Sequence, residues 1–303
     1  MRVKTILTTA TMLAATVIAQ PPAPPAPGAP GAASGTPGAP GGGRGRGGGF
    51  RQPDPIDFND HAGWIQMFDG STLNGWDGDF SWWSVKDGAI FSESTCEKPT
   101  GTIYLIWKGG EAADFEMKME MKGEGPQINS GVQYRGAILP PRPPAAAGGP
   151  PGGRGRGPLG PCPSGAPRGT PPSRESQAKW DMLGAQFDFD GQNRYTGQFY
   201  EQATGRGIIA WRGQVVHTES GHDPRLVATL GDKDELGGYV KIEDWNQLHI
   251  IARGNTMTHI VNGHVMSILI DDDATKFRKS GLIGFEIEGF GKINIRNIWL
   301  KKL

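Results

Sequence analysis

Along most of the chain, apolar and polar residues alternate with a period of two. Phe115, Met117, Met119 and Met121 alternate with Glu116, Lys118, Glu120 and Lys122, the pattern of a strand with one buried and one solvated face. Leu183, Ala185, Phe187 and Phe189 alternate in the same way with Gln186, Asp188 and Asp190. An amide and two carboxylates in line are more than solubility asks of such a strand, so it is read as the floor of a binding groove. Asp87-Gly88 and Asn262-Gly263 sit between strand-like runs and predict tight hairpins, the second at 258–270. Residues 247–253, 282–288 and 293–300 read as further strands, and 271–279 as a short helical turn. Many short strands without crossover helices predict an all-β fold, an antiparallel sandwich or jelly roll.

Two stretches break this pattern. Residues 20–55 are rich in Pro, Gly and Ala, with little to bury, and read as a disordered linker. Residues 137–176 have the same character and repeat Gly-Gly-Arg-Gly-Arg-Gly at 152–157. Strands precede and follow them, so they read as a solvated loop insertion within one jelly-roll domain, 56–303. Residues 1–19 resemble a signal peptide: Arg2 and Lys4, an apolar run at 6–18, and Val17-Ile18-Ala19 before Gln20. A secreted or periplasmic protein is expected, with no membrane span once the signal is removed.

Charge excludes one class of partner. Lys+Arg and Asp+Glu both number 31, so no polyanion-binding field is expected and no nucleic acid partner is assigned. Export makes a Cys96–Cys162 disulfide chemically allowed, but a bridge and two free thiols both stay open.

Three strands carry polar pairs at a spacing of two: Gln133 and Arg135, Gln186 and Asp188, Glu286 and Glu288. On a shared sheet face they would assemble an Arg, amides and three carboxylates; otherwise each is the wet face of a sandwich. Tyr195 and Tyr200 could stack on a sugar ring while Glu201 and Arg206 address hydroxyls, or they belong to an ordinary strand with an internal salt bridge. The six His show neither HxH nor HExxH spacing. No cofactor is assigned, and a divalent cation such as calcium is compatible with Asp188, Glu286 and Glu288.

In order and number, several short motifs resemble the 3-keto-disaccharide hydrolase domain family. They include Phe68-Asp69-Gly70-Ser71-Thr72-Leu73-Asn74-Gly75-Trp76, Asn129-Ser130-Gly131-Val132-Gln133-Tyr134-Arg135 and Gly184-Ala185-Gln186-Phe187-Asp188. Tyr195-Thr196-Gly197, Tyr200-Glu201, Gly205-Arg206-Gly207 and Asp244-Trp245-Asn246 follow. The resemblance implies a concanavalin-A-like jelly roll acting on 3-keto glycosides, with a carbohydrate as substrate. A ketone at C3 acidifies the C2 proton, so a carboxylate removes it, the C1 substituent leaves, and water adds. On this expectation Asp188 or Glu286 is base and acid, Arg135 or Arg206 stabilises the enolate, and Gln133 and Gln186 orient hydroxyls.

Many relatives carry Gln-x-His where this chain has Glu286-Ile287-Glu288, which keeps a non-catalytic carbohydrate-binding module as the second reading. A conventional two-carboxylate glycosidase is set aside. Its Glu-x-Asp-x-Glu strand would begin with a nucleophile where Gln186 stands.

Overall fold

Two long strands, Phe115–Ile138 and Leu282–Lys302, run antiparallel to each other over most of their lengths, and the other strands are arranged around them. The computed structural model describes residues 53–140 and 162–303. The expected signal at 1–19, the linker up to residue 52 and residues 141–161 of the insertion lie outside the described residues. At one end, residues 115–121 pair with Asn246–Arg253, and the sheet continues through Thr256–Val261 and His264–Asp272 to Gln214–Glu219. At the other end, residues 129–138 pair with Met182–Asp190, which is followed by Phe199–Gln202 and Gly207–Ala210. There, residues 284–287 pair on their far side with Ile103–Trp107.

Register shifts within the long pair, at 290/292 and 296/299, let the two strands bend. The fold is all-β, a curled sandwich of the jelly-roll type. Met117, Met119, Met121, Val132, Phe187, Leu248, Phe285 and Ile293 are fully buried in its core.

Both hairpins form where the sequence places them. Asp87 and Asn262 adopt φ of 51° and 49°, and the glycines that follow adopt 75° and 82°. The tightest hairpin turn needs left-handed backbone at both central positions, which Asn-Gly and Asp-Gly supply with least strain.

Three details go beyond the alternation pattern. Gln214–Glu219 pairs parallel with His264–Asp272, so the sheet is not antiparallel throughout; alternation reports burial, not strand direction. The short turn expected within 271–279 forms as a single one: the strand runs on to Asp272, the Asp273 carbonyl accepts the Lys276 and Phe277 amides at 2.9 and 2.8 Å, and the Asp273 carboxylate accepts from the Thr275 amide and hydroxyl. The helices among the described residues are Arg174–Gln177 and Lys233–Gly237, N-capped by Ser173 and Asp232. Lys118, expected on a solvated face, is buried. Residues near 60 fold over it, so that its ammonium donates to the Asp60 carbonyl and lies 4.5 Å from the Trp64 ring centre.

Cys96 and Cys162 form a disulfide. It ties the described end of the insertion to the loop at 95–101, and the Gly169 amide adds a 3.0 Å hydrogen bond to the Cys96 carbonyl. Gly169 approaches so closely that a Cβ there would lie 1.8 Å from the Glu97 carbonyl oxygen. Among the described residues, no helix is long and apolar enough to cross a membrane.

Candidate active site

Strand register builds a polar surface from residues far apart in sequence. Asp188 faces Gly131 across one strand pair, Gly131 faces Glu286 across the next, and Glu286 faces Tyr104 across a third. A flanking row holds Asp190, Asn129 and Glu288; the row on the other side holds Tyr200, Gln186, Gln133 and Gly284. Gly131 is the gap that makes the centre work. A Cβ there would lie 2.1 Å from Gln186 Nε2, so its bare backbone leaves room for the Gln186 amide to cross over and donate to Glu286. The Tyr104 hydroxyl donates to the other Glu286 oxygen at 3.1 Å, and Gln198 Nε2 donates to Asp188 Oδ2 at 2.6 Å.

Above this row lies a cavity of about 180 Å³, into which Gln186, Asp188, Tyr195, Tyr200, Glu286 and Glu288 all project. Asn129, Gln198 and Gln202 complete its polar wall. Asn129 Oδ1 and Gln198 Oε1 are buried and have no hydrogen-bond partner among the described residues. Buried acceptors are seldom left unmatched, and here they suit a ligand rich in hydroxyls.

Burial sets the charge state of the centre. It pushes the Asp188 carboxyl up to about 7, with the negative charges of Asp190 and Glu288 adding to the rise and the Gln198 hydrogen bond opposing it. Glu286 is driven well above the ordinary carboxylate range, first by burial and then by the charges of Glu288 and Asp188. Tyr200 is raised by burial and the nearby carboxylates, so its phenol stays protonated. At neutral pH the pocket therefore holds a partly ionised Asp188, a protonated Glu286 and a neutral phenol.

The same shift predicts a pH-dependent stability. Asp188 rises from 3.8 to about 7 on folding, so the folded chain binds more protons than the unfolded one inside that window. Its contribution is full on the acid side and is lost as pH rises through about 7, by at most about 4 kcal/mol. Asp188→Asn removes this term. Urea unfolding at pH 5 and pH 8.5 is expected to show the variant gaining on the wild type as pH rises; a difference independent of pH rejects the shift.

The loop after the central strand is held by Asp190, whose carboxylate accepts the backbone amides of Arg194, Tyr195 and Thr196 at 2.8–3.1 Å. This fixes Tyr195 over the cavity. Gln198 is held from beneath by the fully buried His259, whose Nδ1–H donates to the Gln198 carbonyl at 3.2 Å. Its Nε2 accepts from the Tyr134 hydroxyl at 2.7 Å, and burial holds the ring neutral, with its pKa lowered to about 3.

Several expected site residues are placed elsewhere. Arg135 was expected beside Gln133, but the register shifts between Tyr134 and Ala137, and Arg135 takes a left-handed φ of 47°. That bulge turns its side chain away from the pocket, where it donates to the Ala113 carbonyl (2.9 Å), the Gly254 carbonyl (2.8 Å) and Asp114 (3.1 Å). Glu201 and Arg206 also lie on the opposite face, because Tyr200 and Gln202 take the pocket side of their strand. Arg206 pairs with Glu201 at 3.4 Å and Asp271 at 2.9 Å, an internal ion-pair network. Gln133 is buried in the row behind Gln186 and does not line the cavity. No expected cation reaches the central pocket. Among the described residues, no three His, Cys, Asp or Glu side chains are grouped to hold a metal ion, and Asp188, Glu286 and Glu288 do not form such a set.

The sequence reading gives no site role to Tyr104, Asn129 or Gln198. Tyr104 lies in an apolar run, Ile103-Tyr104-Leu105-Ile106-Trp107, which reads as buried strand. Only the pairing with Glu286 gives its hydroxyl a role.

Residues 63–301 match the model of a domain family described as 3-keto-alpha-glucoside-1,2-lyase-like. No curated protein matches the chain. Among solved structures, the chain is similar to a glycosyl-hydrolase candidate from Parabacteroides distasonis ATCC 8503. That match is at 15% identity and TM-score 0.44, covering 80% of this chain and 94% of the other. It is also similar to a carbohydrate-binding module from Bacillus subtilis, at 9% identity, TM-score 0.42, and 75% and 96% coverage. A galectin-like protein from Bacillus subtilis matches at 11% identity, TM-score 0.43, and 75% and 88% coverage.

Proposed function

Because the chain belongs to the 3-keto-alpha-glucoside-1,2-lyase-like domain family, we propose that it cleaves 3-keto glycosides by elimination across C1–C2 followed by hydration. The observation that carries this reading is the pairing, in one hydroxyl-accepting cavity, of a carboxyl that titrates near neutrality with one held protonated. A general base works best with a pKa near the working pH. Asp188 takes the C2 proton and the electron pair moves to the C3 oxygen as an enolate. The enolate re-forms the ketone as the C1–O bond breaks, Glu286 supplies the proton for the leaving oxygen, and water then adds across C1=C2.

With Arg135 and Arg206 turned away, the enolate is met by a neutral donor. Tyr200, a neutral phenol on the cavity wall, donates to the enolate oxygen, while the Glu286 proton is kept for the leaving oxygen. Asn129 and Gln198 accept sugar hydroxyls through the two orphan oxygens.

The direct test incubates purified protein with a 3-keto disaccharide and follows release of free sugar. Release together with incorporation of solvent deuterium at C2 is expected, since the step takes that proton. Binding without release would leave the non-catalytic carbohydrate-binding module in its place.

A further inference from the structure

Beside the central cavity lies a further polar one of about 200 Å³, and the two share Gln202. Thr102, Gln177 and Asp181 supply its other polar side chains, and Pro171 and Pro172 close it.

The fold holds this cavity in a fixed shape. Gln177 is 6% exposed, and its Nε2 donates to Asp79 Oδ2 at 2.9 Å. With the amide fixed in that way, Oε1 cannot turn away to another donor, and it is buried with no hydrogen-bond partner among the described residues. The segment that carries Gln177 is pinned at two further points. Trp180 Nε1 donates to Asp77 Oδ1 at 2.9 Å, and the Pro171 ring lies 3.2 Å from where a Cβ on Gly101 would stand. A space of this size with polar walls holds water, each molecule making about three hydrogen bonds, whereas cavities that stay dry are apolar. An unmatched, immobile acceptor is the group such a water satisfies.

Two hydrogen bonds connect the cavity to the chemistry. Gln202 is hydrogen-bonded to the Tyr104 hydroxyl, and that hydroxyl donates to Glu286 Oε1 at 3.1 Å. Glu286 is 2% exposed, and a glycoside lying over Asp188 and Glu286 covers the side that faces the central cavity.

We infer that this cavity is a water site, and that it supplies the molecule added across C1=C2, passing Gln202 while the departing group still fills the open side. This rests on the elimination and hydration reading of the central pocket. Having given its proton to the leaving oxygen, Glu286 is a carboxylate and takes a proton from the incoming water. The water oxygen bonds to C1, the C1=C2 pair moves toward the C3 ketone, and C2 takes back the proton held by Asp188. Both carboxyls return to their starting states.

Quenched single turnovers of the 3-keto glucoside of phenol test it. Phenol reports the elimination, and the ratio of hydrated sugar to 1,2-unsaturated sugar reports the water supply. The wild type is expected to give mainly the hydrated sugar. Gln177→Met keeps the volume and removes the acceptor; it should raise the unsaturated share about tenfold, the size of one lost hydrogen bond, with phenol release within about twofold. Thr102→Val should shift the share in the same direction without touching the Gln177–Asp79 bond. An unchanged ratio in both variants, phenol release falling in parallel with hydration, or unsaturated sugar as the main wild-type product overturns the inference. If the wild type releases no phenol, the elimination reading fails and the supply role with it. A high-resolution crystal structure then decides the water site alone: ordered water bonded to Gln177 Oε1 and reaching Gln202 retains it, and a dry cavity rejects it.

Discussion

Asp188→Asn is expected to lower kcat/KM on a 3-keto disaccharide by about a thousandfold, within the range of a lost general base. Asparagine is nearly isosteric, and its side-chain oxygen can still accept from Gln198 Nε2, which lies 2.6 Å from Asp188 Oδ2. Pocket shape and glycoside affinity are therefore expected to persist, and the loss to fall on kcat. The wild-type profile should rise with pH through about 7 as Asp188 ionises and fall where Glu286 gives up its proton. The variant should lack the rising limb. A loss under tenfold, or one confined to KM, would remove Asp188 from the chemistry.

The second large effect is on stability rather than catalysis. Arg135→Ala is expected to cost about 3 kcal/mol, because truncation abandons two backbone carbonyls and the ion pair with Asp114. Arg135 is 2% exposed and its guanidinium also lies 5.4 Å from the Phe277 ring centre, so packing is lost along with hydrogen bonds. Chemical unfolding measures the cost. Activity per folded molecule should be unchanged, since the side chain lies on the far face of the sheet from Asp188. A hundredfold loss of kcat in a variant of wild-type stability would return Arg135 to the site as the enolate's cation.

The candidate site was partly legible. Gln186 with Asp188, and Glu286 with Glu288, each alternate with core residues, and each pair does converge on one cavity. The pair Gln133 and Arg135 carries the same spacing yet splits, because a single bulge after Tyr134 reverses which face Arg135 takes. Glu201 and Arg206 failed for a simpler reason: next to Tyr200 on a strand, Glu201 must point the opposite way. Tyr104 was invisible, because a tyrosine in an apolar strand carries no local signal.

The sequence by itself determined the strands, their buried faces, the two tight hairpins and the family. These rest on local physics: a period of two decides burial, and Asn-Gly and Asp-Gly are the residues that accept left-handed backbone at low cost. Only the tertiary structure decided which polar residues meet. Asp188 and Glu286 become one site because Gly131 lies between them in register and leaves Gln186 room to bridge. The Cys96–Cys162 bridge ties the insertion to the loop at 95–101 across 66 positions of sequence. Strand register, a bulge and a crosslink are long-range constraints, and the alternation of side chains along any one strand does not encode them.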